Sequence, residues 1–516
     1  MEKSTEKTYN ELLQDNAALK EEIMSLKQDK LRLEEKLRRA MKKIFGSNSE
    51  HVAMNGDLAE QLSFLFNEAE LVEDTEPGES VEVKSHKRAK GSRSGSIDDI
   101  LTEDLPTTVV EHMPEEMTCP ECGSAMEVIG KEVQRTLVLV PAHAEIREDW
   151  YYKAACPECK ENNITTPITE APRIPSLIPG GFASAEAVAN IAHEKYVMYS
   201  PLYRQEQEWS RKGLKLSRQT MSNWLLTCSE RYLRPIYEEL HRELLKNDIL
   251  HADETPVQVL HEGDRRAKTK SYMWLYMTGS YAEKQVVLYS FDESRSAAAP
   301  KKYLVGYGGY LQTDGYGGYN AVEGVTRVGC LAHARRKFSD ALNGMKAENR
   351  KGTVAEEGFC KIEAILLKEK QLTGLPPEER LKERMKVVKP LMDDLLAWAR
   401  SVQVLKGSKT AEGITYLKNQ WTTFEPFFSD GRIELTNNRA ERSIKPFVMG
   451  RKNWLFCNTK SGVVAAETYY SLIETAKFNG LSPYEYLLYV LQTAPGLNLK
   501  EPADVEKLLP WNMPQK

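Results

Sequence analysis

Nowhere in its 516 residues does the chain carry an apolar run approaching the roughly 20 residues that a membrane-spanning helix needs. The opening MEKSTEKTYN is too polar for a secretory signal, which sets the expectation of a cytoplasmic protein with no membrane contact. An excess of one charge is missing as well. Lys and Arg number 70 against 75 Asp and Glu, a formal net charge of −5, so a nucleic-acid contact must come from local basic clusters rather than from the field of the whole chain. Cysteine is scarce, at eight, which argues against a disulfide-stapled scaffold. With 41% apolar and 28% charged residues the composition is that of a globular chain, and the length predicts several domains.

Four of the cysteines fall in two identical tetrapeptides, CPEC at Cys119 and Cys122 and CPEC at Cys156 and Cys159. Paired Cys-x-x-Cys knuckles in a long chain without a secretory signal point to one tetrahedral Zn²⁺. The β-formers between them, around Pro141, predict two antiparallel strands and hence a zinc ribbon over residues 104–170, a structural staple with direct DNA contact left open. Cys228, Cys330, Cys360 and Cys457 are scattered and read as buried free thiols.

Upstream, Leu12, Leu19, Leu26 and Leu33 recur every seven residues, with Ile23, Leu37 and Ile44 completing an a/d seam. Residues 8–44 are therefore expected to form a coiled coil within a helical region 1–72, with Asn16 and Lys30 at a positions setting register in a homodimer or higher assembly. The alternative is one amphipathic helix packed on its own chain. Residues 73–103 are charged, poor in large apolar side chains, and expected to be a disordered linker. A helical domain follows over 171–246. There, SPLYRQEQEWSRKGLKLSRQTMSNWLL predicts a helix, a turn at Gly213, an N-cap at Ser217 and a second helix presenting Arg218, Gln219, Ser222 and Asn223. That pattern suits a DNA-reading helix-turn-helix and an ordinary helical hairpin alike.

Residues 247–460 carry the catalytic candidates. DILHADETPVQVL, KSYMWLYMTG and KQVVLYSFD predict three successive strands, then a helix, then strands at GYLQTD and TRVGCLAH. Three antiparallel strands followed by β-α alternation is the order of a ribonuclease-H-like α/β sheet, within an overall multidomain α+β protein. Asp253 then lies on the first strand and Asp314, directly before Gly315, at the end of the fourth, its neighbour in that topology. Hard cations take several oxygen ligands, and a Mg²⁺ pair suits phosphodiester displacement, so a third acid is needed. Glu441 supplies it, in ELTNNRAERSIKPFVMGRKNWLF, beside Arg439, Arg442, Lys445, Arg451 and Lys452. Glu254 and Glu434 are rivals, but strand alternation turns Glu254 to the face opposite Asp253. A helical insertion at about 340–428 separates the second and third acids, and a helical region spans 461–516.

The blocks HADETPVQVL, LQTDGYGGYNAV, VGCLAHARRKF, LTNNRAERSIKPFVMGRKNWLF and YSLIETAKFNGLSPYEYLLYVL closely resemble those of bacterial DDE transposases of the insertion-sequence-66 family, the large transposase subunit. The likeness runs almost end to end. It implies a DNA transposase that binds its element's terminal inverted repeats and performs Mg²⁺- or Mn²⁺-dependent cleavage and strand transfer, with accessory transposition proteins as further partners. It assigns Asp253, Asp314 and Glu441 to the acidic triad, Cys330 and His333 to a Cys-x-x-His element, and Cys330, His333 and Asn438 to support of the site. Arg442, Lys445, Arg451 and Lys452 would position phosphates. Thr436 departs from the Asp of many relatives. Competing readings are a ribonuclease-H-like nuclease without strand transfer and a catalytically dead DNA-binding regulator. Metal analysis of the purified chain is expected to find about one zinc per chain, lost when Cys119 and Cys156 are replaced.

Overall fold

The computed structural model describes residues 144–155, 168–170, 176–262, 265–266 and 269–514. The heptad helix, the charged linker, both CPEC knuckles and the first of the two ribbon strands lie outside them. Contacts divide the chain into two units, one of them Asn67–Trp150; of that unit only 144–150 is described, and it is irregular. The described residues from Tyr151 onward belong to the other unit.

Its first ordered pairing joins β1 (Lys153–Ala155) to β2 (Ile168–Glu170), antiparallel, with Ala154 opposite Thr169. Lys153–Ala155 thus pair forward, across the second knuckle. Next come α1 (Ala185–Tyr196), α2 (Leu202–Arg211), α3 (Arg218–Cys228) and α4 (Arg234–Leu245). Ser217 caps α3 by accepting from Thr220 N, and Gly213, at φ 86°, makes the turn from α2. Leu216, Met221, Trp224 and Leu225 are buried, as their spacing requires. A five-residue π turn at Ser229–Leu233 carries α3 into α4 without a break.

The central sheet contains β3 (Ile249–His261), β4 (Lys270–Thr278), β5 (Val287–Asp292), β6 (Tyr310–Gln312) and β7 (Thr326–Val328) in the spatial order β5-β4-β3-β6-β7. The β3–β4 and β4–β5 pairings are antiparallel; β3–β6 and β6–β7 are parallel. This is the strand order and direction that the sequence pattern predicts, with α5 (Ala298–Tyr303) making the crossover to β6. Six consecutive residues of β4, Met273 to Thr278, are buried, because helices cover both faces. β3 is longer than β6, and its far half is met by a short parallel strand, β8 (Cys457–Thr459), at Val259 and His261.

Between the second and third acids run α6 (Leu331–Asn343), α7 (Val354–Gln371), α8 (Pro377–Val387), α9 (Lys389–Ser401) and α10 (Lys409–Phe424). They close on their own core of Phe338, Ile362, Leu395, Trp398, Leu417 and Phe427. Arg384 of α8, fully buried, donates to Glu369 and to the carbonyls of Phe427, Asp430 and Ile433. That guanidinium holds the chain leaving the insertion before it enters α11 (Asn438–Trp454). A second, larger core unites α1, α3 and α4 with the sheet and with α12 (Lys460–Phe478) and α13 (Pro483–Thr493).

Helix α12 does more than pack. Its Glu467, Ser471 and Thr475 accept from the backbone N–H groups of Phe291, Tyr289 and Val287 at 2.7, 2.8 and 3.0 Å. Two strand residues span about 6.6 Å and four helix residues about 6 Å, so every fourth helix side chain meets every second strand amide. The outer edge of the sheet is thereby closed by side chains instead of another strand. Thr475→Val keeps the volume but orphans the Val287 N–H; a loss of about 1–3 kcal/mol in urea unfolding is expected.

Candidate active site

Parallel pairing of β3 with β6 sets Asp253, two residues past the His251–Gln312 pair, beside the chain emerging from β6 at Asp314. Asp314 Oδ1 accepts from Tyr316 N at 2.9 Å, a local turn that fixes its carboxylate. Gly315 is demanded by more than that turn: a Cβ there would stand 2.6 Å from the ring of Tyr416 on α10. Asp253 Oδ1 accepts from Glu254 N at 2.8 Å. Burial raises the Asp253 pKa well above the usual carboxylate range, and the charges of Glu254, Glu441 and Asp314 push it the same way. Acids from the end of β6 and from the first turn of α11 thus stand near enough to Asp253 on β3 to add to the rise in its pKa.

Glu441 is held from α6. Arg336 Nη2 lies 3.4 Å from one of its oxygens and His333 Nδ1 3.6 Å from the other. Ligand atoms of Cys330, His333 and Glu441 all fall within 4.8 Å of one another. Burial lowers the His333 pKa, against the pull of Glu441, and burial pushes the Cys330 thiol up to about 12, with Glu441 adding to it. The Cys-x-x-His pair therefore stands at the third acid as neutral thiol and neutral imidazole. Among the described residues, Glu441 Oε1 and His333 Nδ1 are buried polar atoms without a hydrogen-bond partner.

Two amides stitch these elements together. Asn437, buried, donates from Nδ2 to Ala252 O at 2.9 Å and shares a 3.0 Å bond with His251 Nδ1; its backbone N–H points to Cys330 Sγ at 3.1 Å. It touches β3 next to Asp253, the start of α6 before His333, and the start of α11 before Glu441. Gln312, also buried, donates to the carbonyls of Glu434 and Thr436, at 2.5 and 3.0 Å, two residues before Asp314. The paired asparagines in LTNNRAER were a signal for such a clip; nothing in the local sequence marked Gln312.

Glu254 lies on the other face of β3, paired with Arg295 at 2.6 Å and hydrogen-bonded by Tyr319 at 2.6 Å. Burial pushes its pKa up to about 7, and the charge of Asp314 adds to the rise. Glu434 sits near His251 and Arg439. Asn438 is exposed where Asn437 is buried. Along α11, Arg442 is exposed and Lys445, Arg451 and Lys452 are partly covered. Arg451 donates to Thr255 Oγ1 at 3.3 Å, two residues along β3 from Asp253 and on the same face. Burial alone lowers its pKa to about 10, and among the described residues no carboxylate stands within ion-pair distance of it. On α3, Arg218, Gln219 and Asn223 are exposed and Ser222 half-buried. Gln219 bonds Asn223 at 3.0 Å, and Arg218 donates its backbone N–H to Glu206.

Residues 180–465 match the family described as Transposase IS66 family. The chain belongs to that family. Three further profiles agree along its length: the zinc-finger binding domain of transposase IS66 at 116–160, the IS66 C-terminal element at 471–511, and Transposase C of IS166 homeodomain at 32–110. An uncharacterized protein of Sinorhizobium fredii, y4hP, is 30% identical over 92% of this chain and 87% of its own length. A second from the same organism, y4jD, is 30% identical over 83% and 84%. The IS66 zinc-finger match encloses all four knuckle cysteines, and among the described residues no helix is long and apolar enough to cross a membrane.

Asn437→Leu, close in volume, is expected to cost about 1–3 kcal/mol for each polar group it orphans. It should weaken divalent-metal binding, read by Mn²⁺ titration, more than Asn438→Leu does.

Proposed function

We propose that this IS66-family chain catalyses metal-dependent cleavage and strand transfer of DNA, with Asp253, Asp314 and Glu441 as the ligands of a Mg²⁺ or Mn²⁺ pair in a ribonuclease-H-like core. The observation that supports the reading is geometric: the β3–β6 register puts Asp253 beside the chain at Asp314, Asn437 ties the start of α11 to Ala252 next to Asp253, and Glu441 Oε1 is buried without a hydrogen bond among the described residues. Like charges so placed oppose folding unless protonated or neutralised by a cation, and an all-oxygen set from rigid elements suits a hard divalent ion. When bound, such a pair supplies electrostatic stabilisation of the attacking and leaving oxygens in phosphodiester displacement.

The chain's own residues do the rest. Asn437 and Gln312 fix where the acids stand. His333 and Arg336 hold Glu441, with His333 neutral and Arg336 offsetting its charge. Arg451, a guanidinium on Thr255 of β3 with no ion-pair partner among the described residues, is placed to take a backbone phosphate next to the reacting one. The α2–α3 pair, with Arg218, Gln219, Ser222 and Asn223 on α3, reads terminal-repeat DNA in the major groove. Zn²⁺ on Cys119, Cys122, Cys156 and Cys159 staples the ribbon, and the heptad helix pairs two or more copies. The reaction exposes 3′-hydroxyls at the element ends and joins them to target DNA by in-line attack.

Asp253→Asn, Asp314→Asn and Glu441→Gln should each reduce cleavage and joining of terminal-repeat duplexes to background while gel-shift binding of the ends survives. Cleavage persisting in any of them would refute the assignment, and cleavage with no joined product from the parent chain would leave a nuclease. In metal-free buffer Asp253→Asn should raise the melting temperature, because it removes one of the mutually repelling charges, and added Mg²⁺ should stabilise only the parent chain.

A further inference from the structure

Helix α11 ends in an unusual way. Leu455 has φ 64° and ψ −50°, and Phe456 N donates to Trp454 O at 2.8 Å, closing a γ-turn on a bulky residue that pays for it in backbone strain. Neither side chain at the tip is buried: Leu455 is 65% and Phe456 42% exposed. Strain of this kind persists only where the surroundings dictate it. Here they do so on both sides. Trp454 is anchored edge-to-face on Phe447, with the centroids 5.6 Å apart, and Cys457 is paired with Val259 in the sheet. Gly450 lets the helix lie this close, since a Cβ there would meet Tyr470 Oη at 2.1 Å. Two apolar side chains are thus held out into solvent by a backbone that cannot relax.

The surroundings of the tip are cationic. Lys452 occupies the last turn of α11, and the exposed Arg204 reaches in from α2 to Asn453 at 3.5 Å. A cationic collar around a rigid apolar tip is complementary to a polyanion with apolar faces inside it, which is DNA. Two rulers place the tip relative to the acids. Leu455 is fourteen residues beyond Glu441 along α11, about 21 Å at 1.5 Å per residue. Val259, the sheet partner of Cys457, is six residues beyond Asp253 along β3, about 20 Å at 3.3 Å per residue.

We infer that Leu455 and Phe456 form a preorganised wedge that enters a base step of the element-end DNA, no more than about six base pairs, at 3.4 Å each, from the phosphate held at the acids. This rests on the reading of the chain as a DNA transposase and adds to it a contact that unstacks bases near the cut.

The test uses the full chain and a terminal-repeat duplex with 2-aminopurine placed in turn at each step within that distance, in Ca²⁺ to hold off cleavage. Fluorescence should rise severalfold at one step with the parent chain and stay flat with Leu455→Gly and with Leu455→Gly/Phe456→Ser. Glycine suits a φ of 64°, so Leu455→Gly should melt no lower than the parent, which removes misfolding as an explanation. In Mg²⁺ the double variant should cleave paired duplex at least about tenfold more slowly, the worth of one base-stacking contact, and recover on a duplex premelted at that step. Flat fluorescence with the parent chain, or equal cleavage by parent and variant, overturns the wedge while leaving the transposase reading intact. Loss of assembly mass in light scattering, with the fluorescence rise retained, overturns it in favour of a protein contact. Absence of cleavage by the parent with the rise intact sinks the catalytic reading and leaves the wedge standing.

Discussion

The burial of Asp253 among other carboxylates is the constraint around which the site is built. Asp253, Glu441 and Asp314 come from positions nearly 200 residues apart in sequence, and each disfavours the ionised form of the first. Crowded acids cannot hold one another in place, so other bonds must. The bonds nearest them use uncharged groups: Asn437 to Ala252 O and His251, Gln312 to the carbonyls of Glu434 and Thr436. An amide clip adds no net charge to the cluster, and its geometry does not change with the protonation of the acids it positions. Charged residues meet the acids from their flanks, Arg336 at Glu441 and Arg295 at Glu254.

The rest of the fold supplies a rigid frame for those clips. At one edge of the sheet, α12 closes the row of β5 amides with Glu467, Ser471 and Thr475, so the sheet ends without an open strand. Beyond the other edge, the helical insertion returns the chain to the site through Arg384, whose bonds to four carbonyls fix residues 427–433. A buried guanidinium is costly unless its donors are satisfied, and Glu369 with those carbonyls satisfies them. The insertion therefore acts on the site mechanically, by setting where α11 begins.

Much of this was legible in the residues. Three successive β-forming runs followed by β-α alternation gave the order and direction of β3 to β7, and an Asp-Gly at a strand end gave the placement of Asp314. Ser217 and Gly213 marked the turn between α2 and α3, and alternation put Glu254 on the face where it pairs with Arg295. What escaped was long-range. Ser471 and Thr475 read as ordinary core-facing helix positions because nothing local shows that a strand edge lies against them. Gln312 sits in a short apolar run whose partners are more than a hundred residues away. The choice between Asn437 and Asn438 depends on which one falls inside the turn before α11, a one-residue step of about 100° that the pair of identical residues conceals. The β-formers between the knuckles predicted two strands around Pro141, the first of which lies outside the described residues, and the pairing of β1 with β2 across the second knuckle had no local signal. Strand propensity identifies a strand and not its partner.

Rigidity at the acids and exposure at the end of α11 are two consequences of one helix. Its first turn carries Glu441 and is locked by Asn437; its last turn ends in Leu455 and is locked by Trp454 and Cys457. Pro446 removes one backbone donor in between, yet the helix runs on because Phe447 and Gly450 are buried against Tyr289 and Tyr470. A rod fixed at both ends transmits position: whatever the exposed tip grips is held at a set distance from the carboxylates. A polymer substrate gripped at two points of one rigid rod has lost its freedom to slide before any bond is broken, and that entropy no longer burdens the chemical step.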